Sequence, residues 1–154
     1  LLAGALAVVA NSGDVYAENS PLASVEAEVI DAAGAYEVVP LAAAAARSGR
    51  FSGVLGLGCI IKGETRHDEF LAHAVTSGLA NISIATGVPT ALGVLTVNTK
   101  RQALERSGGR RGSKHGNKGA EAMFALIHTM ASCAAIAAGQ PAPALAHAAP
   151  DKLS

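Results

Sequence analysis

The stretch that decides the fold reads Gly-Cys-Ile-Ile-Lys-Gly-Glu-Thr-Arg-His-Asp-Glu-Phe and occupies residues 58–70. It joins an apolar run over residues 54–61 to a helical pattern that begins beside His67. In an α/β protein such a stretch lies at the carboxyl end of a parallel strand, where ligands bind. Gly63 lets the backbone approach an anion, Thr65 offers a hydroxyl, and a histidine titrates near neutral pH. The residues alone leave a catalytic anion-binding turn and an ordinary surface turn equally open.

Helical and strand patterns alternate along the rest of the chain. Helices are expected over residues 1–12, 40–49, 68–86, 99–107 and 119–137, and strands over 25–30, 51–61 and 90–97. Such alternation implies a parallel sheet with helices on both faces. Three strands make a thin sheet, so either a strand is missing or neighbouring subunits cover apolar surface. We expect one domain over residues 1–138 and a disordered Ala/Pro-rich tail over residues 139–154.

The composition limits the environment and the partners of the protein. The chain has 154 residues, of which 50% are hydrophobic, and its formal net charge is zero, so no overall field favours nucleic acid or an anionic membrane. Cys59 and Cys133 make no disulfide framework, and no apolar run reaches the roughly eighteen residues that span a bilayer. We expect a cytoplasmic protein, or a plastid one whose transit peptide was removed, that binds neither nucleic acid nor membrane.

Two further clusters offer chemistry. In residues 34–37, Tyr36 can lie against a planar ring and Glu37 can accept hydrogen bonds from hydroxyls; a packed tyrosine beside a solvated glutamate is the equal alternative. A second cluster offers cationic groups to a phosphate and a carboxylate to orient them. It consists of Arg106, His115, Lys118 and Glu121. Alone it is better interpreted as a solvated basic loop.

Several familiar motifs are absent. The glycines at 53, 56 and 58 have the wrong spacing for a dinucleotide fingerprint, and residues 112–119 lack the Gly-Lys-Ser/Thr of a phosphate loop. No Cys and His residues have zinc spacing, and there is no nucleophile elbow. The sequence therefore predicts no metal.

Taken together, the motifs resemble those of the 6,7-dimethyl-8-ribityllumazine synthase family of riboflavin biosynthesis. The order and spacing match from Leu1 to about Met130. The segments that carry the resemblance are Leu-Leu-Ala-Gly-Ala-Leu (1–6), Gly-Ala-Tyr-Glu (34–37), Gly-Cys-Ile-Ile-Lys-Gly-Glu-Thr-Arg-His (58–67), Gly-Val-Leu-Thr (93–96), Gln-Ala-Leu-Glu-Arg (102–106) and Lys-His-Gly-Asn-Lys-Gly-Ala-Glu-Ala (114–122). The resemblance implies a three-layer α/β/α flavodoxin-like fold.

The resemblance also implies an activity. The family joins 5-amino-6-(D-ribitylamino)uracil to 3,4-dihydroxy-2-butanone 4-phosphate, with loss of phosphate and water and without metal or organic cofactor. By motif, His67 is the acid/base. The residues carried over as the phosphate site are Gly63, Glu64, Thr65 and a neighbour's Arg106. The residues carried over as the ribityl and pyrimidine site are Ala35, Tyr36, Glu37, Cys59, Ile60 and Ile61, completed by the neighbour's Leu92 and Lys118 with His115 and Glu121 nearby.

The sequence departs from the family at defined places. The family begins with a strand before the Leu1 helix and has aromatic residues where this chain has Leu92 and Asp68. These losses keep open the alternative of a non-catalytic homologue that binds a flavin precursor or serves as a scaffold, and composition alone supports an unrelated anion-binding α/β domain. Extra residues around 109–112 resemble the insertion of pentameric members, which predicts a homopentamer instead of a sixty-subunit capsid. Riboflavin synthase is a candidate partner.

Overall fold

The computed structural model describes residues 1–12, 24–108 and 116–144 of the chain. Within these ranges the helices and strands, in chain order, are α1 (Leu2–Ala10), α2 (Val38–Arg47), β1 (Val54–Ile61), α3 (His67–Thr86), β2 (Thr90–Val97), α4 (Lys100–Arg106) and α5 (Lys118–Ala137). His115 of the predicted basic cluster and most of the expected tail lie outside the described residues. The predictions made for them are therefore untested.

β1 and β2 form a parallel pair. Their register runs without interruption from Val54 opposite Thr90 to Ile61 opposite Val97. The backbone N–H of Val54 donates to Pro89 O at 2.9 Å, and that of Lys62 donates to Val97 O at 2.8 Å. Both strands thus end at the same level, which brings the turn after β1 beside the segment that follows β2.

Helices cover the pair on both faces. Leu55, Leu57 and Ala91 pack with α1 and α5, whereas Val54 and Val94 pack with α2 and α3. Side chains alternate between the faces of a strand, so each strand contributes to both cores. This arrangement is the three-layer α/β/α architecture that was predicted.

The helix ends follow the expected signals. The Thr99 side chain caps α4 by accepting a hydrogen bond from Gln102 N. Pro40 lies in the first turn of α2, where its missing N–H costs nothing. After α3 the chain turns at Gly87 with φ of 72°, a left-handed conformation that glycine adopts without strain.

Among the described helices, α5 is long and apolar enough to cross a membrane, judged by length and composition alone. Its buried residues contribute to the core shared with α1, and they are Gly119, Ala120, Met123, Leu126 and Ile127. Gly119 also lies against the Leu1 carbonyl, and Gly4 of α1 lies against the Asn117 side chain. The absence of side chains at these glycines lets the two helices pack closely. We interpret α5 as a core helix.

The strand predicted over residues 25–30 is wrong. These residues belong to neither a helix nor a strand, and Val29 and Ile30 are half exposed. An alternating pattern produces a strand only when a neighbouring strand pairs with its backbone. In the described part of the chain β1 pairs with β2 alone, so the segment lacks such a neighbour.

Candidate functional site

The predicted anion turn lies where the sequence placed it. Residues 62–66 connect the end of β1 to α3, and His67 is the first residue of that helix. All of residues 62–67 are exposed. Nothing lies within 4 Å of where a Cβ on Gly63 would be, so the space in front of this glycine is open. The turn is therefore accessible to a ligand.

The start of α3 has hydrogen-bond donors available for an anion. Its capping residue, Arg66, makes no side-chain cap, so the first backbone N–H groups of the helix are not satisfied in that way. The Arg66 guanidinium instead pairs with Glu69, with Nε and Nη2 at 3.0 and 2.8 Å from Oε2. The negative charge of Asp68 in the same turn interacts favourably with the helix dipole, but it repels an anion.

Residues 34–37 and the end of β1 flank one cleft. Gly34, Ala35 and Cys59 all line it. Partial burial raises the pKa of the Cys59 thiol, so this cysteine is protonated at neutral pH. Next to the cleft, the Tyr36 side chain is 60% exposed. Of the predicted ribityl and pyrimidine residues, Ala35 and Cys59 thus line one cleft, whereas Tyr36, Glu37, Ile60 and Ile61 are not part of its lining.

The predicted phosphate-binding arginine terminates α4. Arg106 is half buried and its Nη1 donates to the carbonyl of Gln102 at 3.4 Å. The Gln102 side chain in turn accepts a hydrogen bond from Asn98 N at 2.8 Å, just after β2 ends. These bonds connect Arg106 to the end of β2.

Asn117 connects α4 to α5. Its Oδ1 accepts from Gly119 N at 3.0 Å and from Ala120 N at 3.3 Å, which caps α5. Its Nδ2 donates to Ser107 O at 3.1 Å, and Ser107 and Asn117 form an antiparallel bridge. Arg106 and Lys118, the adjacent residues, are therefore held near one another. Sequence reasoning gave Asn117 no role, although an asparagine just before a predicted helix is a typical N-cap.

Lys118 and Glu121 form a tight ion pair on α5. The Lys118 Nζ lies 2.8 Å and 2.6 Å from the two carboxylate oxygens. Both residues line a shallow cleft of about 330 Å³ with Leu92 and its neighbours on β2. Leu92, Lys118 and Glu121, which the resemblance assigns together to a neighbouring subunit, thus line one cleft of a single chain.

The predicted site residues fall into two groups, one on residues 34–37, β1 and the turn before His67, and the other on β2, α4 and α5. Neither of the two clefts has His67 or Arg106 in its lining, and Lys118 lines only the smaller one. Leu92 lies near the amino end of β2, whereas the turn before His67 lies beyond the carboxyl ends of both strands. The described residues include no cluster of three or more His, Cys, Asp or Glu side chains that could hold a metal ion.

Comparison with known proteins decides the family. A family model described as 6,7-dimethyl-8-ribityllumazine synthase matches residues 5–134. The chain belongs to this lumazine synthase family. Relatives that carry that name include proteins of Deinococcus deserti, 50% identical over 97 residues, Buchnera aphidicola subsp. Baizongia pistaciae, 39% over 127 residues, and Edwardsiella ictaluri, 42% over 127 residues.

The chain matches only part of these lumazine synthases. The aligned region covers 63% of this chain and 60% of the Deinococcus deserti protein. It covers 82% of this chain and 73% of the Buchnera protein, and 82% and 74% for the Edwardsiella protein. The matched family region includes both groups of site residues, from residues 34–37 to Glu121.

Proposed function

We propose that the protein is a subunit of a lumazine synthase that condenses 5-amino-6-(D-ribitylamino)uracil with 3,4-dihydroxy-2-butanone 4-phosphate and releases phosphate and water. The observation that carries the proposal is the turn at the end of β1. There an exposed histidine, an open glycine and the uncapped start of α3 lie together on a chain of this family. The reaction needs an anion site and a proton donor within a few ångströms of each other.

Each residue of the turn has a defined task in the proposed mechanism. His67 moves protons during imine formation and phosphate elimination. Gly63, Glu64 and Thr65 hold the phosphate, and Arg106 of a neighbouring subunit adds a guanidinium to the same anion. The mechanism uses no metal or organic cofactor, because every step is a proton transfer, an addition or an elimination.

The second substrate binds in the cleft between residues 34–37 and β1. Tyr36 and Glu37 contact the ring and the ribityl hydroxyls, with Ala35 beside them. The backbone of Cys59, Ile60 and Ile61 meets the edge of the pyrimidine. Leu92, Lys118 and Glu121 come from the neighbour, and so does His115, which lies outside the described residues. Holding two substrates against each other supplies much of the rate enhancement.

The separation of the two groups within one chain supports sites between subunits. Large apolar side chains are also exposed on the helices, and those with at least half of their surface exposed are Phe70, Leu104 and Ile136, with Ile84 at 83%. Scattered side chains of this kind are common on protein surfaces, so the assembly is inferred from the sequence around residues 109–112, which resembles the insertion of pentameric members. We propose a homopentamer in the cytoplasm, with riboflavin synthase as a candidate partner.

A direct assay tests the activity. The chain is mixed with both substrates, and the lumazine product is followed by its absorbance and fluorescence. Product formation without added metal is expected. Ligand binding by calorimetry without any turnover would contradict the proposal and favour a non-catalytic homologue.

Sedimentation velocity or light scattering tests the assembly. A particle of about five times the chain mass of 15.3 kDa is expected. A monomer, or a capsid many times larger, would contradict the pentamer.

A further inference from the structure

The short helix α4 joins β2 at its start and carries Arg106 at its end. None of its 7 residues is buried, and the Leu104 side chain is 53% exposed. A helix of this length is marginal by itself, because its first turn fixes several residues for few hydrogen bonds. With little burial to anchor it, the position of α4 depends on hydrogen bonds to its neighbours.

Gln102 in the first turn of α4 is the centre of these bonds. Its Oε1 accepts from Asn98 N at 2.8 Å, and its backbone N–H donates to the Thr99 hydroxyl at 3.3 Å. Together these two bonds resemble a capping box. A further bond lies outside that motif, since the Gln102 carbonyl accepts from Arg106 Nη1 at 3.4 Å. Gln102 therefore contacts both the start of the helix and the arginine at its end.

The bond to Asn98 attaches α4 to the sheet. Asn98 directly follows β2, whose last carbonyl, Val97 O, accepts from Lys62 N at 2.8 Å. The backbone group that the Gln102 side chain binds is thus fixed by the strand pair and not by α4 itself. The bond to Thr99 differs, because it lies within the start of the helix.

The bond to Arg106 orients the guanidinium and leaves it able to bind an anion. A guanidinium has several N–H donors in a rigid planar arrangement. Fixing one of its nitrogens restricts the directions in which the others can donate. Arg106 is half buried, which limits its rotamers further.

We propose that Gln102 is a positioning residue for Arg106. Its side chain fixes α4 against the end of β2, and its carbonyl directs the guanidinium, so that Arg106 meets a phosphate in one prepared orientation and loses less entropy on binding. Gln102 acts through Arg106 and not on the substrate, because its side-chain oxygen is bonded to Asn98 N. This role rests on the proposed function, in which Arg106 binds the phosphate.

Steady-state kinetics of Gln102→Met test the role. Methionine has a similar length but is only a weak acceptor, so KM for the phosphate substrate is expected to rise about three- to tenfold. The turnover number and KM for the pyrimidine substrate are expected to change by less than about twofold, because loss of positioning affects binding of one group.

Thr99→Val is the matched control, since it removes the other bond at the start of α4 and leaves the bond to Asn98 in place. It is expected to lower the urea midpoint about as much as Gln102→Met and to change KM by less than about twofold. Equal rises of KM in the two variants would overturn the proposal, because Gln102 would then act only as a helix cap.

A double substitution distinguishes positioning from an independent effect. In the Arg106→Ala background, Gln102→Met is expected to raise KM by less than about twofold more, because the guanidinium that it orients is gone. A full additional three- to tenfold rise would overturn the proposal.

Inorganic phosphate gives a readout that needs no turnover. NMR follows the amide shifts of Gly63 and Thr65, which are expected to titrate at about three- to tenfold higher phosphate in Gln102→Met than in the unaltered chain or Thr99→Val. If the unaltered chain binds phosphate in this way but forms no product, the proposed activity is contradicted and the role of Gln102 stands. Phosphate binding that Gln102→Met leaves unchanged, or that the unaltered chain lacks, would overturn the role.

Discussion

The turn after β1 and the junction of α4 with α5 carry the two groups of charged site residues, and they are built differently. In the turn, Arg66 and His67 are exposed, and the ion pair between Arg66 and Glu69 is a local contact. At the junction, Asn117 caps α5 by accepting two hydrogen bonds and donates a third to Ser107 at the end of α4, and Lys118 is paired with Glu121. The turn is exposed to solvent, whereas the junction is held together by hydrogen bonds and an ion pair.

The difference shows that the turn and the junction contribute to ligand binding in two separate ways. An open turn at a helix start leaves donors free for a ligand, at little cost to the fold. A capped junction fixes cationic side chains in advance, so less entropy is lost when they meet an anion. Substitutions in the turn should therefore affect catalysis more than stability, and substitutions that break the junction should affect both.

The largest expected effect is that of His67→Ala. If this histidine transfers protons, the turnover number falls by about 10²- to 10⁴-fold while thermal stability is unchanged. His73→Ala is the matched control, since His73 lies exposed on the same helix. Product fluorescence gives the rates. Equal rates for the two variants would remove His67 from the mechanism.

Arg106→Ala should come next. Losing a charge-assisted hydrogen bond to phosphate costs about 1.5 to 3 kcal/mol, which corresponds to roughly a ten- to hundredfold rise in KM for the phosphate substrate. Arg101→Ala controls for loss of charge on α4, because Arg101 pairs with Glu105 and is 77% exposed. If both variants raise KM equally, the effect belongs to the overall charge and not to a phosphate clamp.

Asn117→Ala tests the junction of α4 with α5. Removal of the cap of α5 should lower the free energy of unfolding by about 1 to 2 kcal/mol. Asn11→Ala is the control: its side chain donates to Ala7 O on an exposed helix end and should cost less than about 0.5 kcal/mol. Urea unfolding followed by circular dichroism measures both. Similar losses in the two variants would show that the junction is not specially stabilised.

The smallest effect is expected for Arg66→Ala. Its partner Glu69 is 53% exposed, and exposed ion pairs contribute about 0 to 1 kcal/mol. Unfolding in urea should therefore change little. If the free energy of unfolding falls by well over 1 kcal/mol, this ion pair stabilises the turn. The contrast between the turn and the junction would then disappear.

The sequence predicted those parts of the molecule that local signals determine. β2 was predicted over the residues that form it, and α3 and α5 each begin one residue earlier than expected. The placement of residues 34–37 and the end of β1 in one pocket came from the family resemblance and not from local signals, and it stays a prediction. The segment over residues 25–30 failed because strand formation depends on a neighbour, which no local pattern reveals. The role of Asn117 was missed because its bond to Ser107 joins residues that only the tertiary structure brings together.

The bridge between Ser107 and Asn117 has a consequence for how the chain can vary. Ser107 and Asn117 lie side by side in this bridge, so a longer insertion between them in the sequence need not move α4 or α5. Doubling the length of a flexible loop costs only about 0.6 kcal/mol in closure entropy. A foreign epitope or an affinity tag can therefore be inserted between Ser107 and Asn117. Arg106 and Lys118 would keep their positions on either side of the insertion.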